Sequence, residues 1–486
     1  MSSGVAVTSC AQPRRVREAV VAGSFYPASA KELASMVDGF LAKAQVEAAG
    51  EVVGLVAPHA GYVYSGAVAA HGYALVRGKK YDRVVVLSPS HVDSFRFAAV
   101  FDGAAYATPL GQVPVDAEFA ARLAGAGGPL KLSSRGHVAS GRGEHALEVQ
   151  LPFLQRALGE FRLVPVVMGS QDYELCRDVG MALAKACGKQ ATLIVASSDL
   201  SHFHSYDAAR KMDLQTLKAI EAWDYLSLSK NLEHRVWEAC GGGPIIAAMV
   251  AAERLGANRA KLLKYANSGD TAGDRSSVVG YGAVAFLRVA KGGDENGMGD
   301  LSLGPEERRA LLAMARQAVE WAVRDRKRYE GTAGGMEALL APRAVFVTLK
   351  KHGKLRGCIG GITPVEPLYE AVCDAARAAA LKDGRFPPVT AKELPELEYE
   401  VSVLSPMRRV LDPGEIKIGR DGVLIKRGRA EGLLLPQVPI EQGWDRETFL
   451  SYACRKAGLE DRAWRDERTE IFRFTALVIS EQHASS

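Results

Sequence analysis

Three apolar runs in this chain end in polar turns that carry groups able to hold a metal ion or move a proton. Val52 to Ala57 breaks at Pro58 and leads to His59. Tyr81 to Leu87 runs into Ser88-Pro89-Ser90-His91. Thr192 to Ala196 runs into Ser197-Ser198-Asp199-Leu200-Ser201-His202. One histidine after one strand is ordinarily a hydrogen-bonded turn residue. Three such strand ends say more, because the carboxyl ends of parallel strands share one sheet edge, where open α/β folds place their ligands. A further turn, Glu238-Ala239-Cys240-Gly241-Gly242-Gly243-Pro244, sets a thiol before a helix that Pro244 is suited to start. Two imidazoles with one anionic ligand and open positions form the donor set of a catalytic divalent metal. His59, His91, Asp199, His202 and Cys240 could converge to supply such a set, and with a thiolate as the third ligand His202 or Asp199 would be free beside it for proton transfer. Cys240 has two rival readings: a covalent nucleophile with its thiol pKa lowered at the helix N-terminus, or a small buried residue beside a tight turn.

The elements that must position these groups alternate between buried strands and helices. Helices are expected over Ser29 to Ala44, Ser65 to Val76, Asp116 to Leu123, Asp172 to Cys187 and Ala208 to Trp223, with strands over Arg162 to Met168, Lys261 to Asn267 and Val278 to Val289. Phe97 to Phe101 and Ala105 to Val113 read as a hairpin with Gly103 in its turn. Gly143 to Leu154 reads as a helix start, on which His145 and Glu148, three apart, share a face next to the metal or the substrate. The fold class is α/β, a three-layer sheet with central parallel strands, over residues 15–290. The Gly-rich stretch 291–300 is the expected linker, after a loose leader over residues 1–20.

Residues 301–482 follow a second pattern. A helix from Pro305 to Arg328, capped by Ser302, places Arg324-Asp325-Arg326-Lys327-Arg328 on a solvated face. A hairpin of Ala344 to Lys350 and Gly353 to Ile359 turns at His352-Gly353. Further helices cover Pro367 to Leu381 and Trp444 to Lys456, and further strands cover Tyr399 to Leu404 and Gly422 to Lys426. Helices with short antiparallel strands make this an α+β domain.

The bulk properties exclude several classes. Of 486 residues, 48% are hydrophobic and 24% charged, as in ordinary globular proteins. The net charge of +5 is spread along the chain without aromatic interleaving, which argues against nucleic-acid binding. No apolar run is long enough for a membrane span and no signal peptide is evident. The seven cysteines include no CxxC pair, which fits a reducing, cytoplasmic setting. Of the ten histidines only His352 and His483 lie beyond residue 290, so a multi-histidine site belongs to the first domain.

Four stretches together resemble the Memo family: Ala57-Pro58-His59-Ala60-Gly61-Tyr62, Ser88-Pro89-Ser90-His91, Glu144-His145-Ala146-Leu147-Glu148-Val149-Gln150-Leu151-Pro152-Phe153, and Ser198-Asp199-Leu200-Ser201-His202. The Memo fold is similar to that of the class III extradiol dioxygenases, non-haem iron enzymes that open catechol rings. The resemblance implies His59, His91 and Cys240 as metal ligands and His202 as the proton-transfer histidine. It favours Fe(II), with copper or zinc as alternatives. The dioxygenases use a carboxylate where this chain offers Cys240, which sets ring-opening apart from what the likeness supports. Leu355-Arg356-Gly357-Cys358-Ile359-Gly360, Asp383-Gly384-Arg385-Phe386-Pro387-Pro388-Val389 and Leu435-Pro436-Gln437-Val438 resemble the AMMECR family. There Arg356 and Arg385 could clamp an anion beside a reactive Cys358, or the glycines could simply permit tight turns while Cys358 packs inward. Memo-like and AMMECR-like units commonly accompany a radical SAM protein, the AmmeMemoRadiSam system, which implies that partner and one shared substrate or pathway. The expected function is a divalent-metal enzyme for a small, aromatic or phenolic substrate. The alternatives are a non-catalytic metal- or peptide-binding partner and a metal-free Cys240-dependent hydrolase.

Overall fold

The computed structural model describes residues 15–125, 128–139, 142–290 and 303–481. Residues 1–14 of the expected leader, the linker, Ser302 and Cys10 lie outside the described residues, and the rest of that leader is not loose, since Val16–Arg17 pairs as a strand with Ala105–Tyr106. The chain forms two compact units. The first runs to Glu221 and resumes at Trp237, and the second takes Ala222–Val236 together with the chain beyond the linker.

The first unit is built on a nine-stranded mixed sheet. Its strands in chain order are β1 (Glu51–Ala57), β2 (Arg83–Pro89), β3 (Ala98–Val100), β4 (Leu130–Leu132), β5 (Leu163–Met168), β6 (Thr192–Ser197), β7 (His202–His204), β8 (Arg259–Asn267) and β9 (Val278–Arg288). Across the sheet the order is β7-β9-β1-β6-β2-β5-β3-β4, with β8 also paired to β9. The four central strands β1, β6, β2 and β5 are parallel. Each is apolar almost throughout because helices cover both faces. On one face the helix Ala30–Lys43 contributes Leu33, Val37 and Leu41, and Tyr62–Ala74 contributes Ala69 and Tyr73, to a core with Leu55, Val84 and Val195. On the other face Tyr173–Cys187 packs against Gly242–Arg254. The register aligns Ser197 with Ala57 and Met168 with Pro89, so the turns after all four strands open on one edge.

The structure departs from the sequence reading in several places. β3 is no part of a hairpin: it pairs antiparallel with β5, and the hairpin is Ala105–Thr108 with Gly111–Pro114. Sequence proximity cannot reveal that Ala98–Val100 sits between two strands from elsewhere in the chain, Leu163–Met168 and Leu130–Leu132. The stretch Ala222–Val236, which reads as part of the first domain, packs with the second unit. The helix at Pro305 stops at Glu320, passes through a π turn over Trp321–Asp325 and ends on left-handed Arg326, with Gly304 as its N-cap. The basic run 324–328 is therefore a helix end, not a helix face.

The second unit holds two four-stranded antiparallel sheets. One orders Lys354–Gly361, Val345–Lys351, Leu397–Leu404 and Ala476–Ser480 under the helices Pro305–Glu320 and Leu368–Leu381. The other orders Arg408–Val410, Glu470–Phe474, Gly422–Arg427 and Ala430–Leu434 against Arg446–Lys456. Among the described residues no helix is long and apolar enough to cross a membrane.

One buried acid makes this unit sensitive to pH. Asp224 caps the helix Tyr225–Glu233 by accepting from the Ser227 N–H at 3.1 Å, and it is only 4% exposed. Burial pushes its carboxyl up to about 6. The folded pKa lies above the unfolded one, so the charging cost is absent below about pH 4 and complete above about pH 6. The second unit should lose about 3 kcal/mol across that window through this group. Asp224→Asn keeps the cap acceptor and should flatten that part of the profile in urea unfolding at several pH values. An unchanged slope in the variant would refute the assignment.

Candidate metal centre

His59 follows β1, and its backbone is held before its side chain is. Its N–H donates to Asp199 Oδ1 at 2.8 Å, and the Ala60 N–H reaches the same oxygen at 3.3 Å. The ring is then oriented by a relay. Ser197 Oγ has one hydrogen and gives it to the Ala146 carbonyl at 2.7 Å, so it accepts from Gln150 Nε2 at 2.7 Å and from His59 Nδ1 at 2.9 Å. Gln150 cannot be turned around, because its Nε2 also faces the Pro58 carbonyl at 3.0 Å and its Oε1 accepts from Tyr73. The proton of His59 is thus on Nδ1, and the Nε2 lone pair faces Cys240 Sγ at 3.1 Å. Burial, then the neighbouring His91, pushes His59 down to about 3, so its imidazole is neutral.

His91 follows β2 and is oriented by Glu144. Glu144 accepts the His91 backbone N–H at 2.5 Å, its Nδ1–H at 2.9 Å and the Ala146 N–H at 2.9 Å. Burial opposes charge on both partners. The hydrogen bonds and mutual attraction outweigh it, holding Glu144 at about 2 and His91 above its ordinary value. A carboxylate behind a histidine, fixing its tautomer and raising its basicity, is the usual support of a metal-ligating imidazole.

Cys240 sits in the turn before the helix Gly242–Arg254. Its N–H donates to the Asp199 carbonyl at 3.2 Å, and Gln171 spans the glycine turn from the Cys240 carbonyl to the Gly243 N–H. Gly241 is required, since a Cβ there would stand 2.1 Å from the Ser197 carbonyl oxygen. Burial and the Asp199 carboxylate push the Cys240 thiol far up, which corrects the expectation that a helix N-terminus lowers it. A neutral buried thiol is a poor nucleophile.

One donor atom each from His59, His91 and Cys240 lies within 4.8 Å of the others. Two imidazoles and a thiol, with His91 and Cys240 giving up their protons on binding, fit zinc, iron or copper. His91, Glu144 and His145 form a second close group, but both Glu144 oxygens are already committed to N–H donors.

The other expected residues are placed as follows. Asp199 is buried and holds the His59 turn, with Oδ2 3.9 Å from His59 Nε2, and burial raises its carboxyl. His202 is anchored through its N–H to Glu238 and bears electrostatically on His59 and Asp199. His145 stands 4.7 Å from the His91 ring and 5.4 Å from that of His59, against Phe25 at 4.9 Å. Burial, then His59, lowers it to about 4. Glu148 is not beside it. Residues 146–147 form a turn, a 3-10 helix covers Glu148–Gln150, and Glu148 points away to Arg17, Tyr26 and the N–H groups of Val20 and Val21. In the second unit Arg356 is bound to Glu393 at 2.9 Å and Arg385 to Asp383 at 2.7 Å, so neither is a free anion clamp. Cys358 is partly exposed, with Thr348 Oγ1 at 3.3 Å from its sulfur. Sequence reasoning missed Ser197, Gln150, Gln171 and Arg17. The one available signal was polarity inside otherwise apolar runs, as at Gln150.

Comparison with known proteins identifies two families along the chain. The model of the Memo-like proteins matches residues 17–285 and that of AMMECR1 matches residues 312–479. A MEMO1 family protein of Methanopyrus kandleri is 39% identical over 285 residues, 56% of this chain and 99% of that protein. One of Nitrosopumilus maritimus is 36% identical over 278 residues, 56% of this chain and all of that protein. An uncharacterized protein of Pyrococcus horikoshii with a solved structure is 42% identical, covering 36% of this chain and 92% of that one at a TM-score of 0.35. The chain belongs to the Memo family and carries an AMMECR1 domain after its Memo-like one.

Proposed function

We propose that the first unit is a metal-dependent enzyme acting on a small aromatic or phenolic substrate. The observation that carries this reading is the fixed tautomer of buried His59, whose Nε2 is turned to the partly exposed Cys240 Sγ, with the exposed His91 close to both. A bound divalent ion, Fe(II) by preference and copper or zinc otherwise, supplies Lewis acidity to a coordinated oxygen. His59, His91 and Cys240 hold it. His202 moves a proton at the substrate hydroxyl, being an imidazole near the ligands that is not needed as one. His145 and Phe25 present a ring pair that orients an aromatic substrate. A metal-free hydrolase based on Cys240 is disfavoured because desolvation and the Asp199 carboxylate keep the thiol neutral.

A non-catalytic metal- or peptide-binding module is separated by one variant. Metal-loaded wild type and His202→Ala should hold equal metal, while turnover of the best substrate from a panel of phenols and catechols falls about 100-fold or more in the variant. Ligand binding without turnover in the wild type, unchanged by His202→Ala, would replace the enzyme with the binding module.

A further inference from the structure

In the second unit a cavity of about 210 Å³ lies between the first sheet and the helix Leu368–Leu381. It is smaller than the pockets that take drug-sized ligands, so its occupant is small. Val345, Ile359, Ala371 and Ala375 give it an apolar wall, and Ile359 belongs to the glycine-rich hexapeptide.

Three charged residues line it. Asp374 is committed, to Arg328 at 3.0 Å and Arg377 at 3.3 Å. Arg343 and Glu366 are different. Among the described residues neither makes a hydrogen bond or an ion pair, with each other or with anything else. Both are only partly exposed. Burial disfavours the charge on each, lowering Arg343 and raising Glu366, and the Asp374 and Glu370 carboxylates raise Glu366 further against the opposing pull of Arg328. Elsewhere in this unit the arginines beside the hexapeptide are tied to carboxylates, as Arg356 is to Glu393 and Arg385 to Asp383. A half-buried guanidinium and a half-buried carboxylate that share one cavity yet leave each other unpaired are complementary to a ligand with both charges.

We propose that this cavity binds a small zwitterion, its carboxylate on Arg343, its ammonium on Glu366 and its hydrocarbon part against the apolar wall, which is the chemistry of a free amino acid. This site is independent of the metal centre.

Isothermal titration calorimetry on the full chain tests it with L-valine, an α-amino acid, and 5-aminopentanoate, whose charges are farther apart. Pentanoate and pentylamine each supply one charge. One of the two amino acids should bind saturably, and each single-charge probe should bind about tenfold or more weakly. Arg343→Met should reduce the amino acid to the level of pentylamine, Glu366→Gln should reduce it to that of pentanoate, and Arg343→Lys should restore part of the loss. Neither side chain bonds to the protein, so the variants should melt with the wild type. Should one not fold, the ranking of the four probes on the wild type decides. No saturable binding of either amino acid at millimolar concentration would overturn the proposal. So would pentanoate binding as tightly as the amino acids, or variants that bind like the wild type.

Discussion

Anaerobically purified Cys240→Ser protein will carry only background metal, while the wild type carries about one ion per chain, the stoichiometry of a single three-ligand site. His59→Ala will behave the same way. Each removes one of three donors, and the remaining two cannot hold an ion against competing chelators. Glu144→Gln should behave differently. Its amide oxygen can still accept from His91 Nδ1 and the Ala146 N–H, but it loses the charge that raises the basicity of the ring and sets an N–H₂ against the His91 backbone N–H at 2.5 Å. Metal should still bind, roughly 10–100-fold more weakly, the usual cost of removing such a supporting carboxylate. Metal analysis by mass spectrometry with a chelator competition measures all four proteins. A wild type that takes up no iron, zinc or copper even after reconstitution would remove the metal centre altogether. Glu144→Gln matching the wild type would show that His91 needs no orienting partner.

Glu148→Ala should be the most destabilising single change in the first unit, at about 3–5 kcal/mol, the range for breaking a buried ion pair from one side. Arg17 is 2% exposed and Glu148 fully buried. The substitution strands a guanidinium and leaves the N–H groups of Val20 and Val21, bound at 2.9 and 3.1 Å, without acceptors. Arg17 also donates to the Glu144 carbonyl, so the same cluster clamps the segment that presents Glu144 and His145 to the centre. Metal affinity should fall with stability although Glu148 touches no ligand. Chemical denaturation and metal titration of the variant check both effects. A large loss of turnover with unchanged stability would instead return Glu148 to the substrate side, where its spacing from His145 first suggested it.

That contrast shows where local reasoning stopped. The three-residue spacing puts His145 and Glu148 on one face only if both lie in a helix. The α-helix starts at Leu151, after a turn and a 3-10 segment, so the two side chains diverge. A buried cation 131 residues away in the sequence, at Arg17, then claims Glu148. Arg356 and Arg385 carry the same lesson. The hexapeptide marks a special hairpin, but Glu393 and Asp383 take up both charges, and the arginine left without a partner at the cavity is Arg343, which no motif marks.

The sequence by itself determined the alternation of buried strands and helices, the parallel centre of the sheet and the three strand-end turns that carry His59, His91 and Asp199-His202. Those follow from patterns local to each segment, apolar runs closed by proline, glycine and polar residues, together with the rule that parallel strands end on one edge. Only the tertiary structure decided which groups behind that edge are paired and which are free. The tautomer of His59 depends on Ser197, Gln150 and Ala146, the basicity of His91 on Glu144, and the state of Cys240 on burial against Asp199. The place of Ala222–Val236 in the second unit is likewise a non-local outcome. Burial and partner choice are properties of atoms brought together from distant parts of the chain, and both set charge and hydrogen-bond roles in a low-dielectric interior.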